Sequence, residues 1–252
     1  MKQSRINQIE QYVILNGNVK IEDLCKEFSV SINTIRRDLD ELVKRGRVAK
    51  IYGGVTAIEK DTMPIDEKIH KNVSSKIEVA KLALDFIENG DTIFIDSGTT
   101  AVNIINFLAT KSKITIITHS LNVLAEAAKY KKLNVIGLGG TYLQETGAFV
   151  GISALDMLSS IKINKAFMSA TGFSIDNGFS VNTLLEAEIK RKIVSRSNDV
   201  YFLCDHTKIG IEATMSFCDI ERVQALITDQ KPSKKYEDYF KSHDVSVIYP
   251  AK

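Results

Sequence analysis

The sequence predicts an α/β protein in two parts: a small head of short helices closed by a hairpin, then a larger, mostly parallel α/β domain. Three observations carry this. Apolar residues through position 58 recur at helical spacing and then form two short runs around Gly53-Gly54. From about residue 75, short continuous apolar runs alternate with helical text. Charge divides the same way, with ten basic against seven acidic residues through position 58 and 23 against 24 thereafter.

Composition narrows the classes. The chain has 252 residues, 44% hydrophobic and 25% charged, with three prolines, which fits an ordinary globular protein of one or two domains and not a disordered one. No apolar run approaches the ~18 residues of a membrane span, and the polar stretch Met1–Asn7 carries no apolar signal core, which predicts no secretion. Cys25, Cys204 and Cys218 are widely spaced, with no CxxC pair, so neither a disulfide framework nor a cysteine zinc site is expected. Reduced thiols without a signal point to the cytoplasm.

In the head, Ser4 can cap a first helix carrying Ile6, Ile9 and Val13 that ends near Asn16-Gly17. Ile21, Leu24, Cys25 and Phe28 make a second short stripe, and Ser31 can cap a third helix over about 32–45, stopped by Gly46. Apolar runs either side of Gly53-Gly54 read as a hairpin, or wing. Three helices and a hairpin make a winged helix-turn-helix plan. With Ile35, Leu39 and Leu42 packed inward, Ser31, Asn33, Thr34, Arg36 and Arg37 crowd the first turns of the third helix, the part of a recognition helix that enters a major groove. Arginine there can fork onto guanine and asparagine can read adenine, while Ser31 and Thr34 can hold phosphates at the helix N-terminus. Lys44, Arg45, Arg47 and Lys50 extend the basic strip into the wing. A charged, solvated helix face is the plainer reading of the same residues.

The stretch 59–64, with Pro64, reads as a linker, and 66–76 as a charged helix or extended connector. Strands are expected at 92–95, 114–118, 134–137, 166–169, 200–204, 225–228 and 245–249, with helices at 76–88, 100–109, 121–129, 152–160, 184–196 and 234–242. Such alternation implies βαβ units and a sheet covered on both faces.

The chemistry-bearing residues follow the strands. Asp96-Ser97-Gly98-Thr99-Thr100 leads from a strand into a helix, where hydroxyls, backbone N–H groups and the helix dipole can cradle an anion. Thr118-His119-Ser120-Leu121-Asn122 repeats the arrangement, as does the stretch 137–141 with Gly139 and Gly140. Each loop alone is an ordinary turn; three in succession at one sheet edge suggest a ligand site where open α/β sheets place one. Asp205 and Lys208 follow a further strand, with Lys208 able to neutralise a phosphate. Position 142 is Tyr, so the dinucleotide fingerprint is incomplete, and no Gly-Lys-Ser/Thr is present; neither NAD nor ATP is expected, nor any other cofactor.

The wording of both halves resembles the DeoR family of bacterial transcriptional regulators. In the head the match is Thr34 to Leu39 and Tyr52-Gly53-Gly54-Val55, with Tyr52 where the family usually has His; a tyrosine can donate to phosphate but carries no positive charge. In the second half it runs through Asp96–Thr100, Thr118–Ser120, Gly139-Gly140, Gly151, Lys165–Phe167, Gly172, Gly178, Glu186 with Lys190-Arg191, Asp205–Gly210 and Thr228-Asp229, with departures at His119, Asn164 and Ser169–Gly172. The resemblance spans roughly residues 3–230 and implies a winged helix-turn-helix head and an effector-binding domain similar to ribose-5-phosphate isomerase. It adds Glu186 and Lys190 to the expected effector site, and implies a homo-oligomeric repressor of sugar operons that responds to a phosphorylated sugar or polyol.

The expected organisation is a DNA-binding domain over 1–58, a linker over 59–75, and an effector-binding and oligomerisation domain over 76–252. Four scattered histidines, without HxH or HxxxH, predict no metal site. Asp96, His119 and Ser120 could be imagined as a triad, but no nucleophile elbow accompanies them and chance placement is the better reading. The rival function is a sugar-phosphate isomerase with an appended helical head.

Overall fold

The computed structural model describes residues 2–16, 18–44, 48–51, 53–57 and 65–251. The chain divides into two compact units, residues 1–62 and 63–252.

The first unit contains helices α1 (Lys2–Asn16), α2 (Ile21–Glu27) and α3 (Ile32–Lys44) and strands β1 (Asn18–Lys20), β2 (Val48–Ile51) and β3 (Gly54–Ala57). The helical stripes do what their spacing demands: Ile6, Ile9 and Val13 meet Leu24, Ile35, Leu39 and Leu42 in one core, closed by Val19, Val48 and Val55. Two details differ from the sequence expectation. The first helix already starts at Lys2, so Ser4 lies inside its first turn instead of capping it. The hairpin gains a third strand, for β1 pairs with β3 antiparallel in the order β1-β3-β2. With three residues and one buried position, β1 is too short to announce itself by alternation. Residues 58–64, including Pro64, lie outside the described residues, as do Arg45, Arg47 and Tyr52.

The second unit opens with α4 (Ile65–His70) and α5 (Val73–Ala83). The charged stretch after the expected linker is therefore helical, and Ile65 is buried with its N–H on Glu145 O at 3.2 Å. All seven expected strands form one sheet: β4 (Thr92–Ile95), β5 (Thr115–Thr118), β6 (Asn134–Gly137), β9 (Ile163–Met168), β12 (Ser197–Leu203), β14 (Ala225–Ile227) and β15 (Ser246–Ile248). Their order is β15-β14-β12-β9-β4-β5-β6 and every pairing is parallel. Helix α5, the 3-10 helix 101–110 and α6 (Leu121–Ala127) enclose a core with Ile93, Ile95, Ile116 and Leu203. On the opposite side, α7 (Ile152–Ser159), α8 (Leu184–Arg196) and α9 (Lys234–Ser242) enclose Phe94, Met168, Phe202 and Leu226. Alternate residues of one strand thus feed two cores, which is why the strands read as unbroken apolar runs.

Short strands supplement this frame: the hairpin β7 (Thr141–Leu143) and β8 (Ala148–Val150), and an antiparallel set of β10 (Gly172–Ser174), β11 (Gly178–Val181) and β13 (Met215–Cys218). Burial pushes the thiols of Cys204 and Cys218 up, the latter to about 12, so both are packing groups and not reactive ones.

Candidate functional site

The head presents a polar face on α3. Ser31 Oγ accepts a hydrogen bond from Thr34 N at 3.4 Å and lies 3.0 Å from Thr34 Oγ1, which fixes the first turn. Ile35, Leu39 and Leu42 point inward, leaving Ser31, Asn33, Arg36 and Arg37 exposed and Thr34 half-buried. Asp38, 1% exposed, accepts from Arg5 Nε at 2.7 Å and ties α1 to α3, so this acid does not oppose the neighbouring arginines at the surface. Lys50 on β2 reaches Asp40 with Nζ–Oδ1 at 2.7 Å, both side chains largely exposed. A solvated pair of this kind contributes little, so Lys50 can exchange Asp40 for a phosphate. Gly53 is exposed at φ +73°, a left-handed turn conformation that favours glycine. Gly54 lies against the backbone of β1, where a Cβ would come 2.4 Å from Val19 O. Of the expected DNA contacts, Tyr52 lies outside the described residues, as do the Lys44 side chain, Arg45 and Arg47.

In the second unit the topology makes the site. The chain leaves β4 toward β5 and β6, then returns to place β9, β12, β14 and β15 on the other flank. Direction reverses between β4 and β9, and the loops after β4, β5, β6, β9 and β12 all lie at the carboxyl ends of the strands, where such sheets bind ligands.

Asp96 follows β4 at this reversal and is fully buried. Its Oδ1 lies 3.0 Å from His119 Nε2, and its Oδ2 accepts from Ser169 N at 2.8 Å and from Lys190 Nζ. Lys190, itself 3% exposed, also donates to Ser169 O at 3.1 Å and lies 5.5 Å from the Phe217 ring centroid. Burial pushes the Asp96 carboxyl up, but the Lys190 charge and the His119 hydrogen bond outweigh it and hold the group well below the usual carboxylate range. Facing a carboxylate, His119 Nε2 carries the ring proton. Its Nδ1, and Ser169 Oγ on the neighbouring strand end, are buried with no protein partner.

The remaining expected residues fall into three groups. Ser97 and Thr100 are buried and Gly98 and Thr99 half-buried in the turn after β4, with Ala101 N on Gly98 O at 3.0 Å. Gly98 faces Ser169 so closely that a Cβ would sit 2.1 Å from its Oγ. Gly139 and Gly140 are exposed, and Gly140, at φ +144°, lies against Val150 O. Two residues have local structural work: Ser120 Oγ caps α6 by accepting from Val123 N at 3.3 Å, and at the start of α8 Thr183 Oγ1 accepts from Glu186 N at 3.3 Å and donates to Glu186 Oε2 at 3.0 Å. Asn122 is half-buried, its Nδ2 close to Gly147. Asp205 is buried and accepts from Thr207 N at 3.0 Å, ordering the turn that carries half-buried Lys208.

Of the imagined triad, Asp96 and His119 are in contact, while the Ser120 hydroxyl caps α6. Sequence reasoning missed Ser169 and the pairing of His206 with Asp229, where Nδ1 lies 2.9 Å from Oδ2. The Asp229 carboxyl is pushed up by burial and drawn down further by its His206 hydrogen bonds, for a net lowering. Among the described residues no group of three or more His, Cys, Asp or Glu could hold a metal ion, and no helix is long and apolar enough to cross a membrane.

Two family profiles match the chain: the DeoR-like helix-turn-helix domain over residues 5–61 and the DeoR C terminal sensor domain over 71–230. The chain is 38% identical over 248 residues to the HTH-type transcriptional regulator IolR of Bacillus subtilis, covering 98% of this chain and 99% of that protein. It is 34% identical over 242 residues to the lactose phosphotransferase system repressor of Staphylococcus epidermidis, covering 94% and 95%. Among solved structures, a D-ribose-5-phosphate isomerase in complex with phospho-erythronic acid is similar at 19% identity and a TM-score of 0.40, covering 58% of this chain and 55% of that one. With one family model matching the head and the other the second unit, and a full-length relative at 38% identity, the chain belongs to the DeoR family of DNA-binding transcriptional regulators.

Proposed function

We propose that the protein represses a sugar or polyol catabolic operon in the cytoplasm and leaves its operator when a phosphorylated sugar or polyol binds the second unit. Residues 1–58 read the operator, 59–75 connect, and 76–252 bind effector and join chains into a homo-oligomer. The observation that carries the reading is that the Asp96–Thr100, Ser120–Asn122, Gly139-Gly140 and Asp205–Lys208 loops share one end of the parallel sheet, with the Asp96–Lys190 pair at the strand reversal. These groups offer hydroxyls and N–H donors for a polyol and a cation for a phosphate. The names of the similar proteins, among them a lactose phosphotransferase system repressor, support the same class of operon. The sensor must bind effector with different affinity in the two functional states, since only that difference can shift DNA binding.

The test is titration of operator complexes with sugar phosphates and with the matching free sugars. Release by the phosphates alone is expected; equal release by both would remove the anion cradle from the account.

Two substitutions separate reading from positioning. Arg36→Ala and Arg37→Ala each cost about 1–3 kcal/mol of operator binding and relax sequence discrimination, while circular dichroism and Tm stay unchanged because both side chains are exposed. Lys50→Ala weakens binding to all sequences alike and lowers the salt slope by about 1. Competition binding on operator and scrambled DNA across a salt series distinguishes the two patterns.

A further inference from the structure

Two ion pairs tie the flanks of α3 to different elements of the head. Residues four apart share one side of a helix. Asn33 and Arg37 therefore make the outer face of α3, with Arg36 and Asp40 on one flank and Thr34 and Asp38 on the other. Asp40 meets Lys50 of β2, which puts the wing on the first flank. Asp38 meets Arg5 of α1, which puts the start of α1 on the second flank, beside Thr34. The pairs differ in burial: Asp40 and Lys50 are both largely exposed, whereas the Asp38 side chain is 1% exposed and that of Arg5 27%. Asp38 Oδ2 accepts from Arg5 Nε at 2.7 Å. Nε is the inner nitrogen of the guanidinium, so the Nη groups at its tip remain to meet another acceptor.

An α-helix with its side chains is ~10–12 Å across and the major groove ~12 Å wide, so a helix that enters the groove meets a sugar-phosphate backbone along each flank. On the wing side Lys50 supplies a cation. On the other side Ser31 and Thr34 offer hydroxyls but no charge. We infer that Arg5 is the cation of this second flank: its Nη groups fork onto a backbone phosphate while buried Asp38 holds the guanidinium by Nε. The planar fork matches phosphate geometry, and a guanidinium already fixed at one nitrogen loses less freedom when its tip binds. The reading helix is then gripped from both sides. Arg5 reads no base itself; it fixes the register in which Arg36 and Arg37 meet the base edges.

The charge-balanced variant Arg5→Ala/Asp38→Asn removes the pair without stranding the acid or changing net charge. Binding of the full chain to operator and to scrambled DNA across a salt series is expected to weaken about 10-fold on both. The salt slope is expected to fall by about 1, with helix content by circular dichroism unchanged. Arg5→Gln, which can still donate to Asp38, is expected to show the same fall on a head whose helices stay tied, and Arg5→Lys, which keeps a cation, to retain the slope. A pair that served only to hold α1 against α3 would move Tm and leave the slope alone. An unchanged slope in either neutral variant, a loss confined to the operator, or a slope lowered as far by Arg5→Lys as by Arg5→Gln would overturn the inference. It rests on α3 as the reading helix, and the two fail separately: undiminished discrimination in Arg36→Ala and Arg37→Ala would sink that reading, whereas the slopes of the Arg5 variants judge the phosphate contact.

Discussion

Lys190→Ala lowers folding stability by about 3–5 kcal/mol, the cost of stranding a buried carboxylate without its cation. Asp96 is fully buried and Lys190 nearly so, so removing the ammonium leaves a buried carboxylate without its cation. For a unit of this size that corresponds to a Tm fall of about 6–20 °C. Urea unfolding at pH 7 measures it directly. The double variant Asp96→Asn/Lys190→Met recovers most of the loss, because it removes the charge and its partner together; if it proved no more stable than Lys190→Ala, the stranded charge would not be the cause. The pH dependence has a defined sign. The folded-state pKa of Asp96 is depressed, so its contribution is complete above the ordinary carboxylate pKa of ~3.9 and is lost as pH falls through the lower folded value. The stability gap between wild type and Asp96→Asn is therefore flat from about pH 5 to 8 and closes only in stronger acid.

Lys208→Ala weakens effector binding by about 10- to 150-fold, the loss of one charge-assisted contact of about 1.5–3 kcal/mol. The residue sits on a turn ordered by Asp205, at the end of β12, and is only half-buried, so the fold tolerates its loss. Operator binding without effector persists, since Lys208 lies in the second unit and the reading helix in the first. The expected phenotype is a repressor that no longer responds to its inducer. Calorimetry with the releasing sugar phosphate, beside operator titrations, checks both halves; loss of DNA binding in Lys208→Ala would instead make the turn a structural element.

The frame was legible because it depends on periodicity. Runs such as Thr92–Ile95 and Ala225–Ile227 are apolar on both faces, the pattern of strands in a sheet covered on both sides. Short antiparallel pieces were not legible: β7 and β8 have three residues each, too few for an alternation or an apolar run to stand out. At the site, Asp96 and Lys208 stood out by position after strands. The partnership of Asp96 with Lys190 spans 94 residues and follows from the fold, so local spacing held no sign of it. Lys190 was reached through family resemblance alone. Ser169 contributes mainly through its backbone N–H and carbonyl, which the identity of its side chain does not advertise.

The reversal between β4 and β9 also has a consequence for synthesis. The pairing Ile93↔Lys165 joins residues far apart in the chain, and Asp96 waits for Lys190, 94 residues further on. At ~5–20 residues per second of elongation, that interval lasts about 5–20 s. Throughout it, the growing chain holds β4 with one open edge and a carboxylate without its cation. The reading head, complete by residue 62, has long since emerged. Nascent chains thus acquire the ability to touch DNA before the part that governs release has closed, and a ribosome paused within that interval holds an exposed strand edge that invites mispairing.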